Sequence, residues 1–277
     1  MPACHICATC GTQFAASTDP PAVCPICEDE RQYVGWSGQK WTTLDSLRGG
    51  HRNLIRDDLG VTGIGTEPSF AIGQRALLVR TPAGNLLWDC ITLLDDATVE
   101  AVRSLGGLRG IAISHPHYYS SMVEWSQAFD APVFLHEADR RWVMRPDPSI
   151  EFWSGRTKEL WDGMTLINAG GHFDGGTVLH WPGGNALLSG DIVQVAQDRR
   201  WVSFMYSFPN YIPLPAASVD RIVAALEPFS FDRVYGAWWE RNVASDGSEA
   251  VRRSAARYKR AILSREVEAR PPARPRR

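Results

Sequence analysis

The chain has 277 residues, 44% hydrophobic and 22% charged, with a formal net charge of −2. This is the make-up of a globular protein with room for one large domain and a small one, and it carries no basic field that would point to nucleic acid. No apolar run approaches the ~20 residues a membrane span needs, and "MPACHICATC" lacks a charged-then-apolar export signal, so no membrane contact and a cytoplasmic location are expected.

The first 45 residues predict a small module. Five of the six cysteines lie within the first 27 residues, a density that suggests metal binding more than disulfides where no export signal is present. Cys7 and Cys10 form one C-x-x-C, and Cys24 and Cys27 a second. Two such pairs folded toward each other offer four thiolates in a tetrahedron. Cys4 with Cys7 is an alternative register, but "CATCG" carries the glycine suited to a tight turn after the pair. The segment is too short to bury a core, so a metal would stabilise it. Through "CATCG" and "CPIC" it resembles rubredoxin-like zinc ribbons. That resemblance implies a structural zinc, or iron with electron transfer. Glu28 stands where a glycine is common and favours zinc.

Residues 41–65 read as a polar connector, with "RGGH" and "DDLG". Short β-type runs follow in "FAIG", "RALLVRT" and "NLLWDC", separated by turn signals. "DDATVEAVRSLGG" predicts a helix capped by Asp95 or Asp96 and stopped at Gly106. "LRGIAIS" is a strand, "YSSMVEWSQAF" a helix and "APVFLH" a strand. Later strands are "MTLINAG", "GTVLHW" and "NALLSGD". A helix at 216–227, the strand "RVYGAWW" and a helix at 248–268 close the pattern. On the last helix Val251, Ala255, Tyr258 and Ile262 share a face. Residues 269–277, rich in Pro and Arg, are expected to be disordered. The order implies a layered α/β domain over 46–268, with helices outside the sheets.

Three strand ends gather metal-type ligands. His115 and His117 flank a proline, and in an extended segment both imidazoles would face one side. His172 sits among glycines in "NAGGHFDGG". Asp191 follows an apolar strand in "LLSGDIV". Three imidazoles and a carboxylate suit one divalent ion.

With this set in view, residues 66–240 resemble the metallo-β-lactamase superfamily. The resemblance implies an αββα sandwich with a metal site between two sheets, and a signature H-x-H-x-D-H, then a Gly-flanked His, a G-D and a late His. Carried over by position, His115, His117 and His172 match the first three ligands and Asp191 the bridging one. Tyr119 and Ser120 replace the Asp and His of the signature, and Ala237 and Trp238 stand where the late His is expected. The departures cluster on the second metal position, so a single ion is expected, zinc before iron.

Such a site implies hydrolysis of a small ester, thioester, lactone or amide. Asp174 or Asp191 is the candidate base, and the phenol of Tyr119 or Tyr118 the candidate oxyanion donor. The aromatic stretch 198–215 is a candidate pocket wall or dimer contact, leaving a homo-oligomer open. Arg199 or Arg200 would hold a substrate anion, with Tyr206, Trp238 and Trp239 as further walls. Two alternatives remain. One is a mononuclear iron oxidoreductase resembling the persulfide dioxygenases of the same superfamily. The other is a binding protein with a partly lost site. His51, His136 and His180 read as structural.

Overall fold

The computed structural model describes residues 2–263; the expected tail at 269–277 and the last five residues of the 248–268 helix lie outside them. Two sheets face each other. The first has seven strands in sequence order: Arg52–Asp58, Val61–Glu67, Ala76–Val79, Leu86–Trp88, Gly110–Ala112, Val133–His136 and Ile150–Trp153. Its early pairings are antiparallel. Its last three are parallel, each reached through a crossover, as parallel neighbours require.

The second sheet orders Thr157–Glu159, Thr165–Asn168, Thr177–Trp181, Ala186–Gly190, Arg233–Gly236 and Asn242–Val243. Only the pair between Ala186–Gly190 and Arg233–Gly236 is parallel. The helix Ala216–Leu226 supplies that crossover.

Side-chain alternation sorts residues into layers. Leu77, Val79, Leu86 and Trp88 meet Leu166, Leu179, Ala186 and Leu188 between the sheets. Leu78 and Leu87 point the other way, toward Val102, Val123 and Trp125 of the helices Asp96–Ser104 and Met122–Phe129. Ile167, Val178 and Leu187 face Ile222, Val251 and Ala255 of Ala216–Leu226 and Gly247–Leu263. Strands buried on both faces account for the nearly continuous apolar runs. The result is the expected helix–sheet–sheet–helix sandwich. Asp95 caps its helix by accepting from Thr98 N at 2.8 Å. Among the described residues, no helix is long and apolar enough to cross a membrane.

The structure corrects several element expectations. Residues 52–67 are not a connector but the first hairpin of the seven-stranded sheet. Its two-residue loop is Leu59-Gly60, both at positive φ, the geometry that matches strand twist. Arg52–Asp58 is an edge strand, and edge strands carry charge; that polarity hid it. "FAIG" is a turn closed by Gly73 N donating to Phe70 O. Ile262 lies exposed rather than on the buried face of its helix.

The N-terminal module is closed by Ile6–Cys7 pairing with Trp41–Thr42. It does not stand apart. Cys7, Cys10, Phe14, Cys24 and Cys27 belong to the same apolar cluster as the helix side of the first sheet. Gln13 N donates to Ser120 O, and Thr92 Oγ1 to Gly11 O.

Candidate metal centre

Among the described residues, two groups of ligand-type side chains gather. In the first, Cys7, Cys10, Cys24 and Cys27 place all four sulfurs within 4.8 Å of one another. Cys7 Sγ is 3.6 Å from Cys27 Sγ, and Cys10 Sγ is 3.7 Å from Cys24 Sγ. A tetrahedral zinc with bonds of about 2.3 Å holds its sulfurs about 3.8 Å apart, whereas a disulfide would bring them to about 2.05 Å. Gly11, at φ +81°, makes the turn after the first pair. Gln39 Nε2 donates to Cys7 Sγ at 3.2 Å, and hydrogen bonds from the neighbouring thiols push Cys7 well down. Cys4 stands outside the cluster.

The second group is His115, His117 and His172, again with ligand atoms within 4.8 Å. His115 leaves the strand Gly110–Ala112 in extended conformation. Pro116–Tyr118 then form a 3₁₀ turn. The two imidazoles therefore converge through that turn, and not through strand alternation as expected; their rings lie 5.1 Å apart. His172 enters on a loop whose Gly170 and Gly171 have φ of +64° and +84°, which a side chain would strain. Its Nε2 is 3.2 Å from His117 Nδ1. Bonds of about 2.0–2.1 Å to one tetrahedral ion set nitrogens about 3.3–3.4 Å apart.

Further contacts decide which nitrogen of His115 and of His172 is available. Ser114 Oγ holds His115 Nδ1 at 2.9 Å, leaving Nε2 buried without a hydrogen bond. Met205 O accepts from His172 Nδ1 at 3.2 Å, leaving Nε2 as the lone-pair nitrogen that faces His117 Nδ1. Outer partners of this kind orient metal-binding imidazoles. Burial pushes all three rings down, His172 to about 4, so they are neutral, as ligands must be. Asp191 Oδ1 lies 3.3 Å from His115 Nε2, and both atoms lack a hydrogen bond. Two buried lone-pair atoms facing each other call for a cation between or beside them. The donor set fits a divalent ion on His115, His117 and His172, with Asp191 at its edge.

Asp191 directly follows Gly190, whose φ is +55°; a Cβ there would stand 2.6 Å from Ser114 Oγ. Burial pushes Asp191 up to about 7. Sequence reading passed over Asp89. Its Oδ1 accepts from Ser114 N at 2.8 Å, so Asp89, Ser114 and His115 form one chain of contacts. Burial raises Asp89 to about 7 as well. The available signal was the one used for Asp191: a carboxylate ending an apolar strand, in "LLWDC".

Other expected site residues fall in different places. Tyr118, not Tyr119, is at the centre. Its ring is 4.4 Å from His115 and 6.4 Å from Trp238. Its buried hydroxyl lies beside Asp191 without a well-aligned partner, and burial and then Asp191 push its pKa well up. Tyr119, one residue on in the turn, instead lines a narrow void with Thr12, Gln13 and Met144 against the ribbon.

Asp174 is exposed and lines a surface cavity with Asn168, Arg221 and Phe229. Arg200 is exposed, paired with Asp198 at 2.7 Å, and faces a cavity with Asp58 and Arg253. None of the metal-type ligands lines either cavity. Tyr206 donates its hydroxyl to Glu30 at 2.7 Å. Trp238 borders Tyr118 and donates to Ile72 O. Trp239 packs on Gly63 and Gly65 of the first hairpin, not on the metal centre.

An αββα sandwich with imidazoles meeting at the strand ends defines the class: the fold is that of the metallo-β-lactamases. The chain belongs to the family of YmaE, an uncharacterized protein of Bacillus subtilis (strain 168), with which it is 51% identical over 267 residues, 94% of this chain and 97% of YmaE. No family model matches the sequence. Among solved structures, DIM-1 metallo-β-lactamase aligns with a TM-score of 0.58 at 15% identity, covering 76% of this chain and 98% of its own. FIM-1 metallo-β-lactamase from Pseudomonas aeruginosa, in its mono-zinc form, aligns at 0.56 and 13%, covering 76% and 97%. At such identities the likeness speaks for the fold.

Proposed function

We propose that the chain is a metal-dependent hydrolase with a single-ion centre, zinc in preference to iron, acting on a small ester, thioester, lactone or amide. One observation carries the reading. Three neutral imidazoles converge on one point, while Tyr118 packs on His115 and Trp238 on Tyr118, and neither is a good ligand for a second ion. The mono-zinc form of FIM-1 offers a precedent for one ion on this fold. His115, His117 and His172 would hold the ion. When bound, it supplies Lewis-acid chemistry, activating water and polarising a substrate carbonyl.

The chain's own groups supply the rest. Asp191 is the carboxylate within reach of the ion, able to bind it or to take a proton from water. The Tyr118 hydroxyl, protonated at neutral pH, is placed to donate a hydrogen bond to an oxyanion. Trp238 packs on Tyr118, edge to face. Phe173 packs on all three imidazoles, with ring centroids 4.9 to 5.5 Å away.

Metal analysis of the wild type, His115→Ala and Cys24→Ala tests the reading. Two zinc equivalents are expected in the wild type, with His115→Ala losing the histidine-site ion and keeping the ribbon ion, and Cys24→Ala losing at least the ribbon ion. Full metal content in His115→Ala would overturn the site. Iron in the sandwich site would favour oxidoreduction. Turnover in an ester and thioester panel with the zinc-loaded protein is expected, and silence across it would overturn hydrolysis.

A further inference from the structure

The three imidazoles are 1%, 4% and 1% exposed, and part of what covers and holds them comes from the ribbon. Two residues beyond Cys27 the chain runs as Asp29-Glu30-Arg31-Gln32. Arg31 Nε and Nη2 donate to the Asp29 carboxylate at 2.6 and 2.8 Å. That pair fixes the guanidinium plane. Arg31 Nη1 then reaches His172 O at 3.3 Å, and the guanidinium carbon lies 4.0 Å from the Phe173 ring centroid, within cation–π range. One ribbon side chain thus grips two consecutive residues of the loop that carries the third imidazole.

That loop needs an outside grip. "AGGHFDGG" has four glycines around His172, and glycine gives up the most conformational freedom on ordering. On its far side Gly175 N donates to Asp139 Oδ1 at 3.0 Å. On the near side Arg31 adds its contacts to the loop's own closure, in which Ala169 N and Gly170 N donate to Gly176 O.

The hairpin Met205–Ser207/Ile212–Pro213 completes the link. Met205 O accepts a hydrogen bond from His172 Nδ1. The residues that follow clamp the ribbon arm: Ser207 Oγ donates to Arg31 O, and Asn210 Nδ2 to Glu30 O and Gln32 O. The hairpin that orients His172 therefore also holds the arm.

We propose that Arg31 is a positioning residue for the three-histidine centre, supplied by the ribbon, so that ion retention at the histidines depends on the ribbon arm being docked. The proposal rests on the three histidines binding an ion, as argued above. Because linkage is reciprocal, a disordered ribbon loosens the histidine site, and an ion at the histidines steadies the arm.

The test measures zinc affinity of the full chain at each site by competition with a chromophoric chelator, with cysteine accessibility to a thiol reagent read in parallel. Arg31→Met keeps the apolar stem and removes every donor. It is expected to weaken the histidine site about 10–100-fold, the range for losing an outer-shell partner, while the four ribbon cysteines stay protected. Arg31→Lys, which keeps a cation over Phe173 but not the fork, is expected to fall between Arg31→Met and the wild type. Unchanged histidine-site affinity in Arg31→Met overturns the proposal. If Arg31→Met also exposes the ribbon cysteines, Asn210→Ala decides: it loosens the arm from the hairpin side, and a selective loss at the histidine site supports the proposal while an unchanged affinity overturns it. A wild type that holds no second zinc equivalent would instead sink the metal-centre reading itself.

Discussion

Replacing Ser114 by alanine isolates the orientation of a single ligand. Ser114 Oγ lies 2.9 Å from His115 Nδ1 and both residues are buried. The ring can bind an ion through Nε2 only while Nδ1 keeps its proton, and in that tautomer the serine oxygen is the acceptor that holds it. Alanine removes one oxygen, leaves the main-chain bonds of residue 114 to Asp89 and Thr177 in place, and strands a buried N–H. Leaving such a donor unsatisfied costs about 1–3 kcal/mol. At about 1.4 kcal/mol per decade, zinc affinity at the histidine site falls about 5–150-fold, with the ribbon site unaffected. Chelator competition on Ser114→Ala and wild type, with a denaturant curve on each to confirm a common fold, measures it. Equal affinities would refute the orientation argument and with it the assignment of Nε2 as the ligating atom.

Tyr118→Phe removes a buried hydroxyl with no well-aligned partner, so stability is expected to hold or rise, since an unsatisfied buried polar group is itself a cost, while kcat on a substrate found by screening falls about 100-fold or more as for a lost oxyanion donor; equal kcat would remove Tyr118 from the chemistry. Gly190→Ala meets a left-handed backbone and the Ser114 hydroxyl, and a loss of at least about 1–2 kcal/mol from the backbone alone is expected in urea unfolding; a wild-type midpoint would contradict it. Asp139 is pushed up to about 7 by burial, so its charged form is disfavoured in the fold. Its contribution is full below the ordinary carboxylate value and is lost as pH rises toward and through 7. Asp139→Asn, which keeps an acceptor for Gly175 N, should lose less stability than wild type between pH 4.5 and 7.5; identical pH slopes would show that Asp139 does not titrate there.

Much of the fold was legible because its signals are local. Apolar runs of four or five residues bounded by Gly, Pro and Asp place the buried strands, and Asp95 and Gly106 bound a helix. The candidate ligands were legible for the same reason: His115, His172 and Asp191 each follow a strand or a glycine turn that can be read within a few residues. The hairpin 52–67 was missed because an edge strand faces water and loses the apolar pattern. Asp174 attracted attention by standing two residues from His172, yet the loop turns it to the surface. Arg200 looked like an anion holder, and Asp198, two residues away, already pairs with it.

Residue order places a four-cysteine cluster ahead of a layered α/β domain and supplies one ion's worth of histidines, since spacing along strands and turns is a property of the local chain; the αββα arrangement came from the family resemblance. Which tyrosine meets the centre is different in kind. A 3₁₀ turn rotates successive residues by about 120°, so Tyr118 and Tyr119 part company on packing alone, one toward His115 and the other toward the ribbon. The grip of Arg31 on His172 joins residues 141 positions apart. No periodicity spans that distance; only the docking of the ribbon on the sandwich brings the two together.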